Sequence, residues 1–152
     1  MKLLLIAQTP SKNTIELGDA AYSALCTYSS SSAEIIQKSP TDVTANDLDN
    51  CDGLLIGTIE NIGALAGLTK DMFDRCYNDW LGLYDGLPVG VYIRAGLDGT
   101  ATKRTLISYA NAQSWRLIRE PIILHGTYNQ QMCDTVSDLA GALAAGVEAG
   151  IY

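Results

Sequence analysis

Blocks of apolar residues separated by polar loops run the length of this 152-residue chain, and their spacing predicts its elements. Lys2 to Ala7 is continuous and apolar, the pattern of a central strand buried on both faces. Beyond the polar segment Gln8–Thr14, the residues Leu17, Ala21, Leu25 and Tyr28 recur at helical spacing. That helix is expected from near Thr14, with Ser11, Asn13 and Thr14 all competent N-caps. Ser29–Ser32 reads as a solvated turn, Glu34–Gln37 as a short second strand, and Asp42–Cys51 as a polar stretch with Leu48 turned inward. Leu54-Leu55-Ile56, bounded by Gly53 and Gly57, is the third strand. Thr58-Ile59-Glu60-Asn61-Ile62-Gly63 is too irregular for strand or helix and reads as a polar turn. Leu65, Leu68, Met72, Phe73 and Cys76 then mark a helix with one apolar face, and Lys70–Asp74 and Asp71–Arg75 pair charges along its other side.

Tyr77–Leu87 reads as a connection, Pro88–Ile93 as a fourth strand, and Arg94–Thr100 as a second glycine-bearing loop. A helix is expected from Ala101 to Trp115, with Leu106 and Ala110 inward, and a fifth strand over Pro121–Leu124. Met132, Val136, Leu139, Leu143 and Val147 mark a C-terminal helix whose small residues between 141 and 146 permit close packing on a sheet. Strand and helix alternate five times with no hairpin signal, linker or repeat. The pattern predicts one α/β domain over residues 1–152: a doubly wound, five-stranded parallel sheet of order 2-1-3-4-5 with helices on both faces. In that order the gap between strands one and three is the switch point. The loops after strands one, three and four therefore converge on one edge of the sheet.

Composition narrows the function. With 47% hydrophobic and 18% charged residues the chain is an ordinary globular protein, and a net charge of −7 argues against nucleic acid or an anionic membrane surface as partner. Cys26, Cys51, Cys76 and Cys133 form no C-x-x-C pair and only one histidine is present, so zinc is not expected and the thiols read as reduced. The apolar run at the N-terminus is too short for a signal h-region or a membrane span, and the default expectation is a soluble, cytoplasmic protein.

The converging loops carry the candidate chemistry. Thr9, Ser11, Asn13 and Thr14 bring hydroxyls and backbone N–H groups to a helix N-terminus, a phosphate cradle by dipole and amide; the plainer reading is a helix cap. The segment lacks both G-x-x-x-x-G-K-[ST] and G-x-G-x-x-G. A cation-binding receiver domain is also excluded, because strands one and three end in Ala7-Gln8 and Gly57-Thr58 rather than in carboxylates.

Thr9-Pro10-Ser11-Lys12-Asn13-Thr14 and the longer stretch Gly57 to Arg75 resemble the flavodoxin-like flavoprotein family. The likeness extends to its flavodoxin and NAD(P)H-dependent FMN or quinone reductase branch. The second stretch is similar to that family's G-[ST]-P-x-x-x-G-x-x-[SA]-G-x-x-K-x-x-[FI]-D-R signature. The resemblance implies that Thr9, Ser11, Asn13 and Thr14 bind FMN phosphate, Lys12 through its amide. It implies that Thr58, Ile59, Glu60, Asn61, Ile62 and Gly63 contact the flavin ring, and that Gly96, Asp98 and Gly99 lie beside its pyrimidine end. Ile59 and Ile62 depart from the family's proline and aromatic, so the ring would pack on aliphatic surface. Glu60 reads first as a solvated loop carboxylate; facing the flavin, it would disfavour a negatively charged reduced form.

Trp80, Tyr84 and Tyr92 are alternative stacking surfaces, although packing is the plainer role. His125 after strand five reads as structural unless it serves as an acid or base, and Arg94 as a surface ion pair unless it attracts a phosphate or the flavin carbonyls. The resemblance implies an FMN-dependent oxidoreductase passing electrons from NAD(P)H to a quinone, a flavin or another small acceptor, with no catalytic side chain required. Two alternatives stay open: an electron carrier docking a redox partner protein, and a cofactor-less interaction module of the same fold. A homodimer sharing the site is also left open.

Overall fold

Strand order follows directly from the apolar blocks. In the computed structural model, which describes residues 1–152, β1 (Lys2–Ala7) lies at the centre of a parallel sheet between β2 (Glu34–Lys38) and β3 (Gly53–Asn61). β3 pairs on its other side with β5 (Pro88–Arg94). The next lane is shared: β6 (Arg116–Leu117) pairs with Pro88 and Val89, and β7 (Ile122–Leu124) with Tyr92 to Arg94. The expected 2-1-3-4-5 arrangement is present, with its fifth strand broken in two around Pro121.

Four helices cover the faces: α1 (Lys12–Tyr28) and α4 (Gln130–Glu148) on one side, α2 (Gly67–Trp80) and α3 (Thr100–Ala112) on the other. Side chains alternate between them. Leu3, Leu5, Leu55 and Tyr92 pack under α1 and α4, whereas Leu4, Ile6, Leu54, Ile56, Val91 and Ile93 pack under α2 and α3. A strand buried on both faces has no polar alternation, which is why these segments read as continuous apolar runs. Arg75 straps the polar stretch before β3 in place, donating to the carbonyls of Val43 (2.6 Å) and Pro40 (2.8 Å). Leu48 is fully buried there, as its spacing implies.

The region after Ile56 differs from expectation. Thr58 to Asn61 continues β3 instead of turning, Ile62 and Gly63 form a two-residue turn, and Ala64–Leu65 returns as the antiparallel strand β4. Both turn residues have left-handed φ (51° and 72°), the geometry that matches the twist of a tight hairpin. Leu65 therefore belongs to the hairpin and Leu68 is half-exposed; the inward face of α2 is Thr69, Met72, Phe73, Cys76 and Trp80. Tyr77 to Trp80 extends α2 rather than the following connection. Gly141 of α4 lets Tyr28 of α1 approach, and Gly146 meets Tyr152, so these small residues serve helix and terminus contacts rather than the sheet. All four cysteines are free, and no helix is long and apolar enough to cross a membrane.

Candidate functional site

Three strand ends place the site. A cavity of about 270 Å³ opens at the C-terminal edge of the sheet between β1 and β3, lined by Pro10, Ser11, Asn13, Thr14, Ile59, Glu60, Arg94, Ala95 and Gly96. At the edge of parallel sheets this is where crossover loops diverge and leave a crevice.

Its floor is the start of α1. Ser11 is the N-cap and forms a reciprocal box with Thr14: the Ser11 N–H donates to Thr14 Oγ1 (2.9 Å), and the Thr14 N–H donates to Ser11 Oγ (3.4 Å). The Thr14 hydroxyl gives its proton to the Ser11 carbonyl (2.8 Å). The helix starts at Lys12, two residues before the expected position, because Ser11 rather than Asn13 caps it. The amides of Lys12 and Asn13 have no acceptor in the chain, so the positive end of the helix is open to an anion.

Arg94 forms one wall. Its guanidinium donates to the carbonyls of Leu124 (2.8 Å), Gly126 (2.7 Å) and Ala95 (3.3 Å), and to no carboxylate. The surface ion pair that was one reading of Arg94 is absent: the guanidinium lines the cavity bonded to carbonyls alone.

Glu60 lines the same cavity; it is 7% exposed and not the solvated loop carboxylate the sequence suggested. It accepts the Leu97 N–H at 2.6 Å and the Gly99 N–H at 3.1 Å, tying the β3–β4 hairpin to the loop before α3. The amides of Gly96 and Asp98, between and beside these, have no acceptor. The Asp98 carboxylate takes the Thr100 N–H (2.9 Å) at the first turn of α3.

Of the other expected site residues, Thr9 and Lys12 adjoin the start of α1 in sequence, Asn61, Ile62 and Gly63 form the tip of the β3–β4 hairpin, and Asp98 and Gly99 belong to the loop before α3; none of them lines the cavity itself. Ile62 is fully exposed at the hairpin tip, and Leu97, 62% exposed, sits beside Gly63 across from it. Leu97 was not singled out in the sequence; an apolar residue inside the polar run Gly96–Thr100 was the available signal. Thr58, also expected at the ring, does not line the cavity. Its hydroxyl is buried and donates to Thr69 Oγ1 (2.7 Å), which donates to Gln8 Oε1 (2.7 Å), a chain that pins the start of α2 to β1 and β3.

No aromatic residue reaches the cavity. Trp80 is 1% exposed, packed on Phe73 and Trp115, with its indole N–H on the Ala45 carbonyl (3.0 Å). Tyr84 is bonded to Asp49, which pushes its hydroxyl up to about 12. Tyr92 lies against Gly57 under the sheet, its hydroxyl pushed upward by burial. His125 is exposed in a separate depression with Asn129 and Gln131. No group of side chains could hold a metal ion.

No protein-family model matches the sequence, and no curated protein matches it. Solved structures do match. An archaeal flavodoxin superposes with a TM-score of 0.78 at 13% identity, covering 97% of this chain and 99% of its own. The chain has the flavodoxin fold. Flavodoxin 1 of Bacillus cereus gives 0.75 at 18% identity over 94% of this chain and 97% of its own. The flavodiiron protein of Giardia intestinalis gives 0.79 at 9% identity, this chain matching 36% of its length. In the flavodoxin fold the described cavity occupies the switch point between β1 and β3.

Proposed function

We propose that this chain is an FMN-binding electron-transfer protein, with the cofactor's phosphate at the N-terminus of α1 and its ring between the β3–β4 hairpin and the loop before α3. The observation that carries the reading is the cavity. Open amides of Lys12 and Asn13, the Ser11 hydroxyl and Arg94, which is bonded to no carboxylate, converge at the switch point of a flavodoxin fold.

The donor set fits the cofactor. A phosphate suits free amides at a helix N-terminus, and Arg94 adds charge without needing to move. At the other end, the amides of Gly96 and Asp98 suit the carbonyl oxygens of a pyrimidine ring. Ile59, Ile62 and Leu97 supply aliphatic surface in place of aromatic stacking. The cavity is somewhat below the range of about 300–1,000 Å³ that encloses a drug-sized ligand, so it takes the polar portion and leaves the ring against the rim.

Bound flavin supplies one- and two-electron transfer at its ring, chemistry that no side chain here possesses. The chain's tasks are to bind, orient and shield. The α1 terminus neutralises the phosphate, Ile62 and Leu97 exclude water from the ring faces, and Arg94 offsets negative charge arriving in the cavity. Solved-structure likeness to flavodoxins and the net charge of −7 support exchange with a basic redox partner protein. A second reading is direct oxidation of NAD(P)H with a quinone or flavin as acceptor, the α1 terminus alone then holding the FMN phosphate and Arg94 drawing that of the nucleotide.

The test is a visible spectrum of the purified protein followed by an FMN titration read by fluorescence quenching. Saturable quenching, weakened about tenfold by Ser11→Ala or Arg94→Gln, is expected. A colourless protein that quenches no FMN at micromolar concentration overturns the reading. Anaerobic mixing of the flavin-loaded protein with NADPH and NADH then separates enzyme from carrier.

A further inference from the structure

We propose that Glu60 is a positioning residue whose carboxylate clamps the 95–99 loop onto the β3–β4 hairpin and so preforms the ring end of the cavity. What enters that end rests on the FMN reading; the clamp itself rests on geometry.

A carboxylate 7% exposed must find compensation, because burial of an unpaired charge is costly. Glu60 belongs to no ion pair, and Arg94, which lines the same cavity, donates only to backbone carbonyls. Its compensation comes from two amides of one loop, at 2.6 Å and 3.1 Å, and from the N-terminus of α3 that the loop leads into. These donors lie 37 and 39 residues away on a different strand connection, so the interaction is not a local cap. The local bond at the start of α3 is made separately, by the Asp98 carboxylate accepting the Thr100 N–H.

Both anchored amides alternate with unanchored ones. Leu97 and Gly99 are held by Glu60, whereas Gly96 and Asp98 are left without acceptors. A loop fastened at every second amide keeps one register, and the remaining amides stay available to a ligand without further ordering. Preorganisation of this kind strengthens binding by removing an ordering cost. Gly99 completes the arrangement: its φ of 73° places the chain where a Cβ would lie 2.8 Å from Ile123.

The experiment compares native protein with Glu60→Gln by amide hydrogen exchange at Leu97 and Gly99, FMN titration and visible circular dichroism of the flavin-saturated protein. Gln keeps one acceptor but turns an NH₂ toward an N–H that cannot accept it. Expected are an exchange rise of about tenfold or more at both amides, FMN affinity lower by about tenfold, and weaker flavin dichroism even at saturation. A merely structural residue would leave the last reading unmoved. If Glu60→Gln does not fold, Glu60→Asp, which draws the charge back by one methylene, should show the same losses. Unchanged protection at Leu97 and Gly99 overturns the proposal, as does lost protection with unaltered affinity and dichroism. If the native protein takes up no FMN, the cofactor reading falls alone, and the exchange comparison still decides the clamp.

Discussion

Ile62 holds a conformation that its side chain opposes. At φ 51° a β-branched residue suffers contact between its side chain and backbone, and the fully exposed side chain gains no burial in return. Asn accepts this region far more readily. Ile62→Asn should therefore stabilise the ligand-free protein by about 1 kcal/mol, raising its melting temperature by about 3 °C. The same change removes aliphatic surface from the proposed ring site, so FMN affinity should drop by about fivefold. Calorimetric melting and fluorescence titration on one preparation check both; a variant that gains stability and keeps its affinity shows that Ile62 does not touch the flavin. Gly57 obeys a different constraint. A Cβ there would sit 2.2 Å from the Tyr92 hydroxyl, so Gly57→Ala should destabilise by about 2–3 kcal/mol in urea unfolding, and Tyr92→Leu should restore part of the loss.

Elements were legible where one periodicity ran unbroken. Lys2–Ala7, Pro88–Ile93 and the C-terminal helix were readable because burial on both faces, or along one helical stripe, leaves a repeating mark in sequence. The hairpin was not readable, since Thr58 and Glu60 are polar residues turned inward, each satisfied by partners distant in sequence: Thr69, and the Leu97 and Gly99 amides. Its turn, Ile62-Gly63, lacks the Asn or Asp that marks this geometry at the first position. The start of α1 was visible in Ser11 and Thr14 because capping residues are local, whereas the freedom of Arg94 from any carboxylate is a fact of tertiary placement. Tertiary placement also governs how acid acts on the turn before β3. Burial would raise the Asp47 carboxyl, but hydrogen bonds from Lys38 (2.5 Å) and from Thr44 outweigh it and hold the group below its ordinary value. Unfolded chains carry this residue near a pKa of about 3.9. The stability it contributes is therefore present above that value and is lost as pH falls through the lower folded one. Urea unfolding from pH 6 down to 3 should steepen below about pH 4 in the native protein, and Asp47→Asn should flatten that limb.

Net charge decides between donors at the scale of the whole molecule. With 17 acidic against 10 basic side chains, the long-range field repels polyanions and attracts cationic surfaces. Near the cavity the exceptions are few. Lys12 is exposed and shares its charge loosely with Glu16 at 3.9 Å, while Arg94 is the cation without a carboxylate. NAD(P)H must cross a repulsive field to reach Arg94, so screening should help it: its oxidation rate should rise between 20 mM and 200 mM salt, as the Debye length shrinks from about 20 Å to below 10 Å. A basic partner protein is drawn in by the same field, and screening should slow its electron transfer by about tenfold or more over that interval. The sign of the salt response therefore separates the two readings without knowledge of the partner. Stopped-flow reduction of the flavin-loaded protein, by NADPH in one series and by a basic flavoprotein reductase in the other, measures both slopes. A rate that falls with salt for the protein donor, beside negligible reduction by NADPH, assigns the chain to carrying electrons between proteins; the reverse pair assigns it to oxidising the nucleotide.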